Sequence, residues 1–189
     1  MLFNYFKNHF GGKKKALFWF RDFILWKLGK YRNATHIDWN KVHRILFICK
    51  GNICRSAYAE AYLSSNHPHI NTTSCGVETS DGAPADESAK NTAHQRGYKL
   101  TSHKTSRVED TQLFPSDLIV YMEPAHKTML LEKISETPGS QHTFLGLWGN
   151  TPPLIPDPYG TSTEYFEHCF ILIETCVDAI VSNMTNKIS

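Results

Sequence analysis

Short apolar runs alternate with amphipathic segments over most of the chain. Strands are predicted at residues 45–48, 70–75, 117–121 and 142–145, where apolar or β-branched side chains dominate. Helices are predicted at residues 56–65, at 85–97, from 122 onward, and at 162–184, where apolar positions recur at helical spacing. Because strands alternate with helices, we expect an α/β fold with right-handed connections, a parallel sheet and helices on both faces.

The first 40 residues have a different, basic and aromatic-rich pattern. A helix is predicted at residues 16–28, after a break at Gly11-Gly12 and before a stop at Gly29. Arg21-Asp22 interrupts the apolar run and no small-residue cleavage site follows, so a signal peptide is not expected. No apolar run reaches the roughly 18 residues of a membrane span. We therefore predict an N-terminal extension, residues 1–40, and one domain, residues 41–189.

Charge separates the two parts of the chain. Residues 1–32 contain eight Lys or Arg and one Asp, a net charge of +7, whereas residues 33–189 carry a net charge of −5. Two interpretations of the extension remain open. Its helix lies in a membrane interface, with Trp19 and Trp26 among the headgroups, or it packs on the domain or on a second chain.

The cysteines indicate the redox state of the compartment, and the histidines bear on whether a metal site is present. Five cysteines are present, an odd number without the spacing of a secreted disulfide framework, so a reducing cytosol is expected. His67 and His69 have no cluster of Cys or carboxylate residues beside them, so we predict no metal site. We also expect no cofactor and no nucleic-acid partner.

The stretch from Cys49 to Ser56 carries the candidate chemistry, because it forms a tight loop between a predicted strand and a predicted helix. Loop amides and a helix N-terminus at that position favour an oxyanion. Gly51 and Asn52 are residue types that readily adopt left-handed backbone angles. Arg55 is suited to clamp the anion and to favour a nucleophilic Cys49 thiolate, with Ser56 donating a hydrogen bond to the sulfur. The alternative interpretation is that Cys49 is a core cysteine at the end of a strand, with no chemical role.

Asp157 is a second candidate, in a long loop after the fourth predicted strand. Pro156 and Pro158 restrict its backbone, which suits an acid that must meet a leaving oxygen. The alternative is an aspartate that opens a turn, since Asp-Pro commonly does so.

Two motifs resemble those of the low-molecular-weight protein tyrosine phosphatases. Residues 49–57, CKGNICRSA, resemble the signature Cys-x-Gly-Asn-x-Cys-Arg-Ser-Pro, and Asp157-Pro-Tyr159 resembles the Asp-Pro-aromatic motif of that family. The similarity covers about residues 43–183 and is greatest to bacterial members that serve polysaccharide-exporting tyrosine kinases. Ala57 replaces the usual proline, which pre-organises a helix start and takes no part in the chemistry.

The resemblance implies strand order 2-1-3-4 and hydrolysis of phosphotyrosine through a phosphocysteine. It makes Cys49 the nucleophile, Arg55 the phosphate clamp and Asp157 the general acid. Residues 100–107 resemble the family segment Ser-x-His-x-(Ser/Ala)-Arg, in which His103 would hold Asn52. The further residues implied to bind phosphate or substrate are Lys50, Gly51, Asn52, Ile53, Cys54, Ser56 and Tyr159.

The expected partner is a phosphotyrosine protein, a membrane tyrosine autokinase of exopolysaccharide or capsule production. The enzyme would be cytoplasmic and peripheral at the inner membrane face through residues 1–32. One alternative is a thioredoxin-coupled arsenate reductase, although no cysteine occurs from residue 76 to 168 to continue its disulfide relay. The other is a non-catalytic phosphotyrosine-binding module, which would be expected to lack Cys49, Arg55 or Asp157.

Overall fold

A four-stranded parallel sheet forms the centre of the molecule in the computed structural model, which describes residues 13–134 and 139–185. Its strands are β1 (Arg44–Cys49), β2 (Asn71–Gly76), β3 (Asp117–Tyr121) and β4 (Gln141–Phe144). They pair in the order β2-β1-β3-β4, and all three pairings are parallel. The predicted fold class and strand order are therefore confirmed.

Five α-helices surround the sheet in the described part of the chain: α1 (Lys13–Lys27), α2 (Arg55–Asn66), α3 (Glu87–Gln95), α4 (Pro124–Lys133) and α5 (Thr163–Thr185). The prediction of helix at residues 85–97 was too long. Asp86 lies before the helix as its N-cap, because its carboxylate accepts a hydrogen bond from the Ala89 N–H at 3.1 Å. At the other end Gly97 takes a left-handed φ of 88°, which ends the helical path.

The apolar side chains of β1 pack on both faces of the sheet. Ile45 and Phe47 belong to a core shared with α2, α3 and α5, whereas Leu46 and Ile48 belong to a second core shared with α4. Strand side chains alternate between faces, so a strand covered on both sides is apolar throughout. The same arrangement brings the carboxyl ends of β1 and β3 to one edge, where ligands of open α/β sheets bind.

The described part of the N-terminal extension packs against the second core. Trp26 packs against that core, and Tyr31 contacts Phe144 edge to face at a centroid distance of 5.5 Å. Asp22 is buried beside the Tyr31 hydroxyl, 3.5 Å away. The Gly11-Gly12 break and the segment before it lie outside the described residues. None of the helices found between residues 13 and 134 or 139 and 185 is long and apolar enough to cross a membrane.

Candidate active site

The loop between β1 and α2 turns its carbonyl groups outward. Hydrogen-bond donors of neighbouring segments lie 2.7–3.0 Å from five of them. The pairs are Cys49 O with Val77 N, Lys50 O with Glu78 N, Asn52 O with His103 Nε2, Ile53 O with Asp86 N, and Cys54 O with Tyr58 N. In a trans peptide the N–H points opposite to the preceding carbonyl. The N–H groups of residues 50, 51, 53, 54 and 55 therefore face the other way, as an oxyanion cradle requires.

Cys49 lies at the base of this loop and is 3% exposed. Its Sγ is 2.9 Å from the Ser56 Oγ and accepts a hydrogen bond from the Asn52 N–H at 3.2 Å. Donors placed on a sulfur stabilise its anionic form, and a thiolate is the reactive form of cysteine. The geometry thus supplies Cys49 with the support expected of a nucleophile.

Asn52 holds the loop in shape. Its φ of 54° is left-handed, and its side chain makes three hydrogen bonds that fix this conformation. The amide nitrogen donates to Ser56 Oγ at 2.9 Å and to Ser74 Oγ at 2.7 Å, and the amide oxygen accepts from Ser106 N at 3.0 Å. Of the two residues suited to left-handed backbone angles, only Asn52 adopts one, and Gly51 does not. Gly51 instead borders the cleft.

Two residues of β2 that were not among the predicted site residues support the loop from behind. Ser74 receives the Asn52 hydrogen bond and donates to Glu60 Oε2 at 2.6 Å. Burial raises the pKa of Glu60 above its usual value. A Cβ at Gly76 would lie 2.9 Å from Lys50 O, so any side chain there would displace the loop. A serine inside the predicted strand and a glycine directly after it were the available signals.

Arg55 is held by acceptors from two other segments. Its Nη1 donates to Glu123 Oε1 and, at 3.0 Å, to Ile155 O, while Nη2 lies 3.2 Å from Asp157 Oδ1. Burial works to lower the pKa of the guanidinium, but Glu123 and Asp157 outweigh it and raise that pKa, so Arg55 stays cationic. Glu123 was not predicted as a site residue. Its position after β3, at the same edge as the Cys49 loop, was the usable signal.

The loop that carries Asp157 is anchored on both sides. Ile155 N donates to Met122 O at the end of β3, at 2.7 Å, and Cys169 Sγ of α5 donates to Pro156 O at 3.3 Å. These contacts, together with the flanking prolines, place the Asp157 carboxylate beside Arg55. The position agrees with that of an acid facing the Cys49 loop.

One cleft of about 320 Å³ brings most of the predicted site residues together. It is lined by Cys49, Lys50, Gly51, Ile53, Cys54, Arg55, Glu78, Asp157 and Tyr159. Tyr159 is 59% exposed and Lys50 pairs with Glu78 at 3.0 Å. The other three predicted residues, Asn52, Ser56 and His103, lie behind the loop and hold its backbone or the sulfur.

Known proteins are similar to this chain over the part that contains the sheet and the cleft. The family profile described as low molecular weight phosphotyrosine protein phosphatase matches residues 44–189. The low molecular weight protein-tyrosine-phosphatase Wzb of Escherichia coli K12 is 36% identical over 132 residues, which cover 70% of this chain and 88% of Wzb. The protein-arginine-phosphatase of Geobacillus stearothermophilus is 28% identical over 146 residues, or 77% of this chain and 98% of that protein.

A solved structure of similar fold is that of Vibrio vulnificus Wzb in complex with benzylphosphonate. It superimposes with a TM-score of 0.67 at 31% identity, covering 75% of this chain and 99% of that one. Residues 1–43 precede the part that the family profile matches.

Proposed function

The chain belongs to the low-molecular-weight phosphotyrosine protein phosphatase family, and from this premise we propose that it hydrolyses phosphotyrosine in proteins through a phosphocysteine intermediate. The observation that carries the proposal is the convergence on one cleft of the Cys49 thiol, the Arg55 guanidinium and the Asp157 carboxylate. Amides facing an anion and a buried cation stabilise the charge that develops on a transferring phosphoryl group. The proposed reaction has two displacements at phosphorus.

In the first step the Cys49 thiolate attacks phosphorus, and the bond to the tyrosyl oxygen breaks. Asp157 gives its proton to that oxygen, while Arg55 and the loop N–H groups bind the remaining phosphoryl oxygens. In the second step water attacks the phosphocysteine and passes a proton to the Asp157 carboxylate. The sulfur–phosphorus bond breaks, which releases phosphate and restores the Cys49 thiolate.

The walls of the cleft favour an aryl phosphate. Ile53 and Tyr159 line it together with Cys49, and they offer apolar and aromatic surface to a phenyl ring. The test is phosphate release from matched peptides that carry phosphotyrosine, phosphoserine, phosphothreonine or phosphoarginine, the last because of the arginine-phosphatase relative. We expect release from phosphotyrosine only. Preferred hydrolysis of another phosphoamino acid would refute the assignment.

Beyond the Cys49 loop, the described part of the chain offers no suitable thiol to continue the disulfide relay of the arsenate reductase alternative. Burial raises the pKa of both Cys75 and Cys176 to about 12, and it also raises that of Cys169. Disulfide exchange needs an accessible thiolate as the attacking group. The non-catalytic alternative is disfavoured because Cys49, Arg55 and Asp157 are all present and share one cleft.

Trp19 and Trp26, which were expected among the headgroups, instead line a cleft and pack against the second core, so location at a membrane is supported by the outer face of α1. Leu17, Phe20 and Ile24 are 70%, 56% and 42% exposed, and Leu28, one residue after the helix, is 76% exposed. Their spacing places them along one side, and Arg21, Lys27 and Lys30 are exposed near them. An apolar face bordered by basic residues fits an anionic bilayer surface. We propose that this face brings the enzyme to a phosphotyrosine-bearing kinase of polysaccharide export at the inner membrane.

Vesicle binding tests this membrane contact. Because Trp26 and Tyr31 belong to the packed fold, charge substitution on the outer face is a cleaner change than truncation. We expect the full chain to co-sediment with anionic vesicles at low salt, and Phe20→Glu/Ile24→Glu to lose most of that binding. Ile171→Glu on α5, 42% exposed like Ile24, is the matched control and should bind as the unaltered chain does. Equal sedimentation of all three proteins would contradict a lipid-binding face.

Mild oxidation is expected to join Cys49 to Cys54. Both residues border the catalytic cleft, and a disulfide between them would protect the nucleophile from irreversible oxidation. Burial raises the pKa of Cys54, so we expect Cys49 to be the residue that peroxide oxidises first and Cys54 to resolve it. Peptide mapping after peroxide, followed by thiol reduction, should show the link and recovery of activity. Irreversible loss without a 49–54 peptide would mean that Cys54 is a packed thiol.

A further inference from the structure

A second cleft, of about 280 Å³, lies beside the first. Lys50, Arg55 and Asp157 line both clefts, so the two spaces flank the same catalytic side chains. Tyr159 and Ile53 belong only to the first cleft, which is the one that contains Cys49. A peptide whose phosphotyrosine occupies the first cleft therefore has the second cleft next to it.

The N-terminal extension supplies one wall of the second cleft. Trp19 of α1 lines it opposite residues of the α/β domain, although the family profile begins only at residue 44. The indole stacks on Phe23 with a centroid distance of 5.3 Å and an interplanar angle of 15°. Trp26, farther along α1, packs against the second core and fixes the helix. Trp19 is thus presented by an anchored helix.

The chemistry of the second cleft favours an uncharged, apolar occupant. Trp19, Met129 and Leu154 form much of its lining, and 280 Å³ exceeds the cavity of about 150 Å³ that accommodates a benzene molecule. Glu123 and Asp157 also line it, so an acidic side chain would meet like charge. Arg55 is already paired with both carboxylates.

His126 completes the floor of this cleft without adding charge. It is 3% exposed, and burial together with the nearby cations Arg55 and Lys50 lowers its pKa to about 2. The imidazole is therefore neutral at physiological pH. Lys50 is the remaining cation of the lining, and it lies within 3.0 Å of Glu78.

We propose that the second cleft binds an aromatic or long aliphatic side chain that lies close to phosphotyrosine in the substrate, and that Trp19 is a specificity-determining residue. The inference rests on the proposed phosphotyrosine hydrolysis and assigns the N-terminal extension a part in substrate selection. An apolar pocket can change kcat/KM by about 10- to 200-fold between side chains of different size. Contacts with Trp19 form on substrate binding, so their loss appears chiefly in KM.

The test uses the full chain and phosphotyrosine peptides with Phe, Leu, Gly or Asp at each of the two positions on either side. We expect kcat/KM to be about tenfold higher with Phe or Leu than with Gly or Asp at one of these positions. Trp19→Ala should lower that preference about five- to tenfold, mainly through a higher KM, and Trp19→Phe should retain part of it. Leu131→Ala, at a 52% exposed position on the outside of α4, is the control and should keep the preference.

A second variant addresses the case in which Trp19→Ala does not fold. Ala125 is an exposed residue near the start of α4 that lines the same cleft, so Ala125→Leu fills the cleft from the opposite wall. It should lower kcat/KM for the Phe and Leu peptides more than for the Gly peptide.

Three results would count against these assignments in distinct ways. No turnover of any phosphotyrosine peptide by the unaltered chain would refute the proposed function itself. Turnover without a preference at any position would overturn only the second-cleft inference. An equal loss by Trp19→Ala on the preferred peptide and on p-nitrophenyl phosphate, which is too small to reach both clefts, would also overturn it, because Trp19 would then support the catalytic loop.

Discussion

Replacement of Cys49 by serine is expected to reduce phosphotyrosine turnover by at least about 10⁴-fold, the scale seen when an enzyme loses its nucleophile. The serine hydroxyl fits the same space but is a far weaker nucleophile than a thiolate at neutral pH. Phosphate release from a phosphotyrosine peptide, followed over hours, measures the loss. Full activity of Cys49→Ser would contradict the assignment of the nucleophile.

The same variant should still bind an aryl phosphonate. Arg55 and the inward-facing amides are unaltered by the substitution, and they carry the affinity for the anion. Calorimetric titration checks this point and separates lost chemistry from lost folding. Cys176→Ala is the matched control, since Cys176 is a buried cysteine that lines neither cleft. We expect it to remain active.

Replacement of Asp157 by asparagine is expected to lower the rate on phosphotyrosine peptides by about 10²–10⁴-fold, the usual contribution of a positioned acid. The amide is nearly the same size as the carboxylic acid, but it cannot give a proton to the departing phenolate. The loss should be much smaller on p-nitrophenyl phosphate, because p-nitrophenolate departs readily without protonation. Steady-state rates on both substrates measure the difference.

The comparison of substrates is needed because Asp157 also contacts Arg55. Its Oδ1 lies 3.2 Å from the guanidinium Nη2, so removal of its charge could misplace Arg55. Misplacement of Arg55 would weaken phosphoryl binding for every substrate alike. An equal loss on both substrates would therefore show that Asp157 orients Arg55 and is not the acid.

The fold could be predicted closely because β1 and β3 are apolar over most of their length and because segments of strand pattern alternate with segments of helical periodicity. Asp117–Tyr121 was predicted at its observed bounds, and the other three strands lie within one residue of theirs. Helix ends were less predictable. Asp86 looked like part of a helix, yet its side chain caps the helix from outside. The sequence alone did not decide between helix interior and cap at that residue.

Site residues were likewise predictable where the signal is local in the sequence, and less so where it depends on tertiary packing. Cys49, Arg55 and Asp157 were predictable because each belongs to a short motif whose spacing suits the chemistry. Glu123 and Trp19 were not singled out as site residues, because the contact of Glu123 with Arg55 and the place of Trp19 in the second cleft depend on how β3 and α1 pack in three dimensions. Gly76 is similar, because its lack of a side chain matters only where β2 touches the Cys49 loop.

Trapping of the phosphocysteine shows whether Cys49 is the nucleophile. The wild-type chain is mixed with a phosphotyrosine peptide, quenched within the first turnover, digested and mapped for a phosphoryl group. We expect a phosphoryl group on the wild-type peptide that contains Cys49, and phosphate release by Cys49→Ser that is at least about 10⁴-fold slower. Phosphate release by Cys49→Ser at the wild-type rate, or a phosphoryl group trapped on another residue of the wild-type chain, would contradict the assignment of Cys49 as the nucleophile.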